Sequence, residues 1–298
     1  YDTLGMQYAD KYKGVDQRLG LLSLAGVKYI TVAHNSQVAK DVSSMGDVPY
    51  GVEKLNKKGN ITLYKNKYAL PFAYAYDSYM TEQQYEQLNG IGKEQAMLAQ
   101  IILDQHPADK EIQHNEQRNN PDIQTISLPE TRISSPKGKK YADITVPVEK
   151  DKETYLYFKN LVYHGKKNGD DNFILTGRKG TKGILVTQND VQQKIHIQST
   201  FNPYYFGRKD YIVKINHQAS KAKEKVRLNF LSPGEYEFDD INLITVPKKD
   251  VLAKLEERKK NSMKQIQYEG THFRGVYHAK KDQILCVTIP YSKGWKAT

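Results

Sequence analysis

The sequence predicts an α+β protein: a small α/β lobe, then a jelly-roll-like antiparallel β-sandwich with an inserted helix. Three observations carry this expectation. Helical and strand-like patterns alternate over residues 1–105. Residues 141–298 hold short alternating runs, separated by turn signals such as Lys179-Gly180 and Ser232-Pro233-Gly234, at spacings close to those of sandwich strands. Within that second half, about Asp250 to Gln265, the pattern turns helical, with Leu252, Leu255 and Met263 on its apolar side and Asp250 as its cap.

In chain order, residues 1–26 read as helical around Leu19, Leu21, Leu22 and Leu24. Val27–Val32 alternates as a strand. Ile61–Tyr64 is a second, after the turn signal Lys58-Gly59-Asn60, and Ala69–Tyr76 a third, interrupted by Pro71. Thr81-Glu82-Gln83-Gln84 is a capping box, in which a hydroxyl and an amide satisfy N–H groups left free by the first helical turn. The helix it starts is expected to break at Gly90 and Gly92. A helix then resumes from Glu94 to Asp104, with Met97, Leu98, Ile101 and Ile102 on one side. Residues 106–140 carry His106-Pro107, Asn119-Asn120-Pro121 and Ser134-Ser135-Pro136 with few bulky apolar side chains, the composition of a polar linker or long surface loop. The expected sandwich strands are Ile144–Val148, Thr154–Leu161, Phe173–Leu175, Gly183–Val186, Ile195–Gln198, Tyr211–Ile215, Val226–Phe230, Tyr236–Val246, His272–His278 and Ile284–Ile289. Pro290 then ends the ladder, having no N–H to donate. Ser292-Lys293-Gly294 is a turn, and Trp295, the chain's only Trp, enters a further strand that the chain does not complete. The sandwich is therefore expected to lack its last strand or strands.

Composition narrows the function. The chain has 298 residues, 38% of them hydrophobic, and 22 Tyr to help fill a core. No apolar run approaches the ~20 residues that a membrane-spanning helix needs. No signal peptide stands at Tyr1, so the chain taken alone is expected to be soluble. A net charge of +11 points to an anionic partner: a polymer, lipid headgroups or nucleic acid. Nucleic acid is not expected, because no helix-turn-helix, RNA-recognition or zinc-finger pattern accompanies the charge. The densest positive run is Lys248-Lys249, Lys254, Arg258-Lys259-Lys260 and Lys264, read as a solvated helix face or a contact to an anionic surface. A single Cys excludes an intrachain disulfide, and Cys286 sits in an apolar strand as a small hydrophobe.

Chemistry-bearing motifs are few. The eight His include no i, i+4 pair beside a Glu, so no zinc site is expected. Asp239-Asp240, like Asp170-Asp171, are calcium candidates in sandwich loops, or turn carboxylates in water. No phosphate loop, dinucleotide fingerprint or nucleophile elbow occurs, and no catalytic residue is assigned. Gly177–Gly183 is Gly- and Lys-rich but lacks a following helix, and reads as a basic hairpin turn. The candidate ligand residues are aromatic and basic. In Phe201-Asn202-Pro203-Tyr204-Tyr205-Phe206-Gly207-Arg208, Tyr204 and Tyr205 suit stacking on sugar rings and Arg208 suits phosphate; the alternative is that the aromatics cover the open end of the sandwich. Lys293 and Trp295 are candidates of the same kind, with packing as the alternative for Trp295.

Three segments carry a resemblance. Ile289–Ala297 (IPYSKGWKA), Leu24–Ile30 (LAGVKYI) and Tyr64–Ser78 (YKNKYALPFAYAYDS) resemble the YfhO family of bacterial membrane proteins. The resemblance touches both ends of the chain and much of its first hundred residues. It implies a polytopic membrane protein with a large domain on the outer face, similar to glycosyltransferases of the GT-C architecture that use a polyprenyl-phosphate sugar donor. Some members are implicated in adding sugars to cell-wall polymers such as lipoteichoic acid. On that resemblance the chain is the extracytoplasmic domain of a Gram-positive cell-membrane protein, with residues 1–105 near the membrane. It orients an acceptor and is not itself catalytic, since the catalytic acid of that architecture lies in an early loop between membrane helices. The chain then holds no cofactor, and the parent protein uses a lipid-linked sugar donor. The implied partners are an anionic cell-wall glycopolymer or lipid headgroups, and the parent's transmembrane bundle. Two other readings stand beside it: a structural module that docks a partner protein, and a secreted carbohydrate-binding sandwich.

Overall fold

The computed structural model describes residues 4, 17–33, 48–107, 112–114, 121–126, 128, 130–165, 183–189, 191–197, 207–215, 222–279, 281–290 and 292–296. The N-terminal elements are helix α1 (Leu19–Leu24), strands β1 (Tyr29–Ala33), β2 (Val52–Lys58), β3 (Ile61–Asn66), β4 (Ala73–Tyr76) and β5 (Ser78–Thr81), helices α2 (Glu82–Glu86) and α3 (Gly90–Ala99), and strands β6 (Ile101–Leu103) and β7 (Gln113–His114). An antiparallel sheet runs β1-β3-β2, and β5 lies between β6 and β7 in a small parallel one. Next come β8 (Asp122–Ile126), β9 (Arg132–Ser135), β10 (Lys140–Pro147), β11 (Lys152–Lys159), β12 (Val162–Gly165), β13 (Gly183–Gln188), β14 (Val191–His196), β15 (Tyr211–Ile215), β16 (Lys223–Phe230), β17 (Gly234–Glu237) and β18 (Asp240–Pro247). Helix α4 (Lys248–Lys260) and strands β19 (Lys264–Glu269), β20 (His272–Val276) and β21 (Ile284–Val287) complete the described elements.

The sandwich pairs a sheet ordered β10-β16-β13-β14 with one ordered β15-β11-β18-β8. Crossings between them at β10–β11, β14–β15 and β15–β16 give the jelly-roll-like connectivity. A third sheet, β12-β17-β9, adds Ile133 and Tyr236 to the same core. The strands differ in kind for a physical reason. In β16, Glu224, Val226, Leu228 and Phe230 point inward and the residues between them are polar, as suits a sheet with one wet face. In β11 every residue from Glu153 to Phe158 is buried. That strand is covered on both sides. Leu156, Phe158, Val213, Ile241 and Leu243 enter the sandwich core with Val146, Ile184, Leu228 and Phe230. Tyr155, Tyr157, Ile212, Ile244 and Val246 enter a second core with Leu19 of α1, Ile91 and Leu98 of α3, and Val251 and Leu255 of α4. The sheet β15-β11-β18-β8 is thus the shared middle layer, with helices on its outer face.

The α+β sandwich with an inserted helix is as the sequence predicts; several elements differ. Gly90 and Gly92 begin α3 instead of breaking a helix, because Asn89 caps it: Asn89 Oδ1 accepts from the N–H groups of Ile91 and Gly92. The helix then stops at Ala99, and Ile101 and Ile102 belong to β6. The capping box at Thr81–Gln84 is present in full. The 106–140 stretch contributes β7, β8 and β9; β8 is an edge strand exposed along most of its length, so its sequence carries no apolar alternation. Tyr236–Val246 divides into β17 and β18. Helix α4 begins at Lys248, not Asp250, after Pro247 ends β18. The last strand, β21, pairs with β4 at the N-terminal end of the chain, not with the sandwich. The expected strand at Phe173–Leu175 lies outside the described residues.

Candidate functional site

Where α1, β3 and α4 end near one another they leave a cleft of about 750 Å³. Its walls come from Gly26 and Lys28 after α1, from Lys65-Asn66-Lys67 and Ala69–Pro71 after β3, and from Lys259 and Ser262–Ile266 around the end of α4. Asn66 fixes the first wall. It is buried, its Nδ2 donates to Ser23 Oγ and to the Val27 carbonyl, and its Oδ1 accepts from the Tyr68 N–H. The second wall is held by backbone: Ala75 N–H donates to the Asn261 carbonyl at 2.7 Å and Met263 N–H to the Ala73 carbonyl at 3.0 Å. Lys259 Nζ donates to the Lys67 carbonyl and so ties α4 to the loop after β3.

Five lysines line this cleft: Lys28, Lys65, Lys67, Lys259 and Lys264. Its described lining holds no carboxylate. Lys67 reaches outside it to Glu53 at 3.0 Å, both side chains being at least half exposed, where such a pair contributes little. Lys264 Nζ donates to Ser262 Oγ at 2.9 Å. Lys28 and Lys259 lie 5.7 and 6.0 Å from the ring centres of Tyr29 and Tyr68. Lysines from separate elements thus line one opening of a size that holds a small ligand or a stretch of polymer. Lys259 and Lys264 belong to the positive run singled out in the sequence, whereas Lys28, Lys65 and Lys67 form no such run and went unrecognised; their only hint is the Lys65-Asn66-Lys67 alternation.

Two other members of the positive run, Arg258 and Lys254, prove structural. Arg258 is 1% exposed, donates to the Ala75 carbonyl at 2.6 Å and lies 4.6 Å from the Tyr76 ring centre. Lys254 donates to Gln95 Oε1, and burial holds its amine below the usual lysine range. The long stems cover apolar surface while their heads find partners.

Of the sequence candidates, Tyr204 and Tyr205 lie outside the described residues, as do Asp170, Asp171 and Gly177–Lys182. Arg208 leads into β15. Its Nε donates to the Asp210 carbonyl at 3.0 Å and its guanidinium lies 4.5 Å from the Tyr211 ring centre. Lys293 and Trp295 are exposed after β21, on a different layer, with Trp295 6.0 Å from Phe273. Asp239 Oδ1 accepts from Asn160 Nδ2 at 3.1 Å, and Asp240 sits in the ladder opposite Lys159. Among the described residues no group of three or more His, Cys, Asp or Glu side chains is placed to hold a metal. Cys286 is half-buried beside Tyr74, and burial pushes its thiol up.

A family profile described as "Bacterial membrane protein YfhO" matches residues 1–298. The chain belongs to the YfhO family. A relative described as "Uncharacterized protein YfhO", from Bacillus subtilis (strain 168), is 24% identical over 300 residues, which covers 98% of this chain and 31% of the relative. The chain therefore spans about a third of that YfhO protein's length. Among the described residues no helix is long and apolar enough to cross a membrane. Two of the three YfhO-like segments, Leu24–Ile30 and Tyr64–Ser78, supply most of the cleft's first wall.

Proposed function

We propose that this chain is the outer-face domain of a polytopic, glycosyltransferase-like membrane protein that modifies a cell-wall polymer of the lipoteichoic acid type, and that its part is to hold the anionic acceptor. The lysine-lined cleft supports this reading above all else. A polymer with one phosphodiester per repeat presents a row of single charges. Ammonium groups on separate elements meet such charges as points, without the planar fit that a guanidinium demands. Each contact is weak, but neighbouring repeats engage at high effective concentration. In the proposal the lipid-linked sugar is the parent protein's donor, transfer happens elsewhere in the parent, and the residues of this chain orient the acceptor without a catalytic role.

Titration of the chain with a poly(glycerol phosphate) polymer tests this. We expect saturable binding at low ionic strength that weakens by roughly tenfold or more near ~0.5 M salt, where charges are screened beyond a few Å. Lys28→Glu with Lys65→Glu should weaken it by about another tenfold at unchanged melting temperature. Lys137→Glu with Lys139→Glu, the same charge change on the turn between β9 and β10, should do much less. Equal binding by the two double variants, or none by the unaltered chain at low salt, would end the acceptor role.

A further inference from the structure

Beside the cleft lies an aromatic surface that acceptor binding leaves unused. Strands β19 and β20 form a hairpin whose loop, Gly270-Thr271, opens with Gly270 at φ +59, as a type II′ turn requires. The hairpin is exposed along nearly its whole length. Tyr268 and Phe273 face each other across its ladder, and both meet Phe72 edge-on, with ring centres 5.4 and 4.9 Å away. Trp295 adjoins Phe273. A soluble core would cover such a cluster, yet Tyr268 is 63% exposed and Trp295 45%.

The charges around these rings are mainly positive. Trp295 stands between exposed Lys293 and Lys296. Arg274 follows Phe273, donating to Gln267 Oε1 and lying 3.5 Å from Glu269. The surface continues into the lysine cleft, because Lys264 and Ile266 at the base of β19 line it and Phe72 follows its Pro71. Interfaces between proteins are depleted in lysine at their centres. Trp and Tyr interleaved with lysine is instead the mixture that settles at the boundary of a bilayer, where a ring is apolar at one end and polar at the other.

We propose that this surface docks on an anionic bilayer. Trp295, Tyr268 and Phe273 enter the boundary between headgroups and acyl chains, and Lys293 and Lys296 meet lipid phosphates. The lysine cleft then opens at headgroup level. The proposal stands apart from the acceptor reading, because its rings and lysines are not those altered to test the cleft.

Trp295, as the only Trp, is a built-in probe. The chain is mixed with vesicles of phosphatidylglycerol and phosphatidylethanolamine, then with phosphatidylcholine vesicles. We expect a blue shift of emission with the anionic vesicles and quenching by lipids brominated near the headgroup end of the acyl chain. Part of the binding should survive high salt, since ring burial is not screened. Tyr268→Ser with Phe273→Ser should lower vesicle partition roughly tenfold or more. Should that variant misfold, Lys293→Glu with Lys296→Glu serves instead, and should weaken binding to anionic vesicles while leaving the melting temperature alone. Emission unmoved by anionic vesicles at low salt overturns the proposal. So does an equal shift with soluble poly(glycerol phosphate) and no lipid, which would assign the rings to the polymer.

Discussion

Arg18 Nε lies 2.6 Å from Glu94 Oε2, with the two side chains 1% and 2% exposed. The guanidinium also donates to the carbonyls of Leu4 and Gly90, so one residue ties the start of α1 to the first turn of α3. Burial pushes the Glu94 carboxyl up, and Arg18 opposes that only in part. Gly20 leaves the room: a Cβ there would come 2.2 Å from Glu94 Oε1. Removing one partner strands the other in a dry site. Arg18→Ala should therefore cost about 3–5 kcal/mol, while Arg18→Met combined with Glu94→Leu should come out nearer neutral. Denaturant unfolding of both variants measures this; equal losses would assign the effect to packing. The pair is invisible in sequence, since nothing local to Arg18 names its partner. Asp143 is the opposite case, an exposed carboxylate. Hydrogen bonds from Arg227 and then Lys225 hold it well below the usual carboxylate range. The folded chain then binds that proton less tightly than the unfolded one, so the interaction stabilises above the unfolded value of ~3.9 and is lost as pH falls. Asp143→Asn should lower the melting temperature at neutral pH, with the gap to the unaltered chain closing steadily below about pH 4. A gap independent of pH would show that charge is not its cause.

Among the elements, those with one wet face were easiest to read. Val226–Phe230 and Ile144–Val148 alternate, and they became β16 and β10 with the predicted faces inward. β11 was found as a strand, but its unbroken burial, the mark of a second core, was not drawn from the Tyr-Leu-Tyr-Phe run. β8 and β2 went unseen because edge strands in water need no apolar pattern. At α3 the glycines misled, since the Asn89 cap immediately before Gly90 outweighs glycine's low propensity. Asn89→Ala should accordingly cost about 1 kcal/mol, measured by thermal unfolding. A change within error would mean that the helix is held by its buried face alone.

Across the whole molecule, the helical layer and the sandwich share one sheet. We expect them to unfold together. Residues 121–247 produced alone would expose Tyr155, Ile212, Ile244 and Val246, all under 5% exposed here, and should bind hydrophobic dye or aggregate. A soluble, dye-free product with a cooperative transition would show the sandwich to be autonomous. The cleft belongs to this scale too. Its lysines come from positions as far apart as Lys28 and Lys264, and only the packing of α4 against the loop after β3 brings them together. That is why family resemblance was readable in three short segments while the site they help build was not.

The pairing of β21 with β4 also has a consequence in time. Ile284 meets Tyr76, and Val287 meets Ala73, across roughly two hundred intervening residues. At about 5–20 residues per second of synthesis, the edge of β4 waits on the order of ten seconds or more for its partner. Through that interval Tyr74 and Tyr76 stand beside an open ladder. The edge of β4 is therefore the part of the N-terminal lobe completed last, because β21 follows every other described strand in the chain.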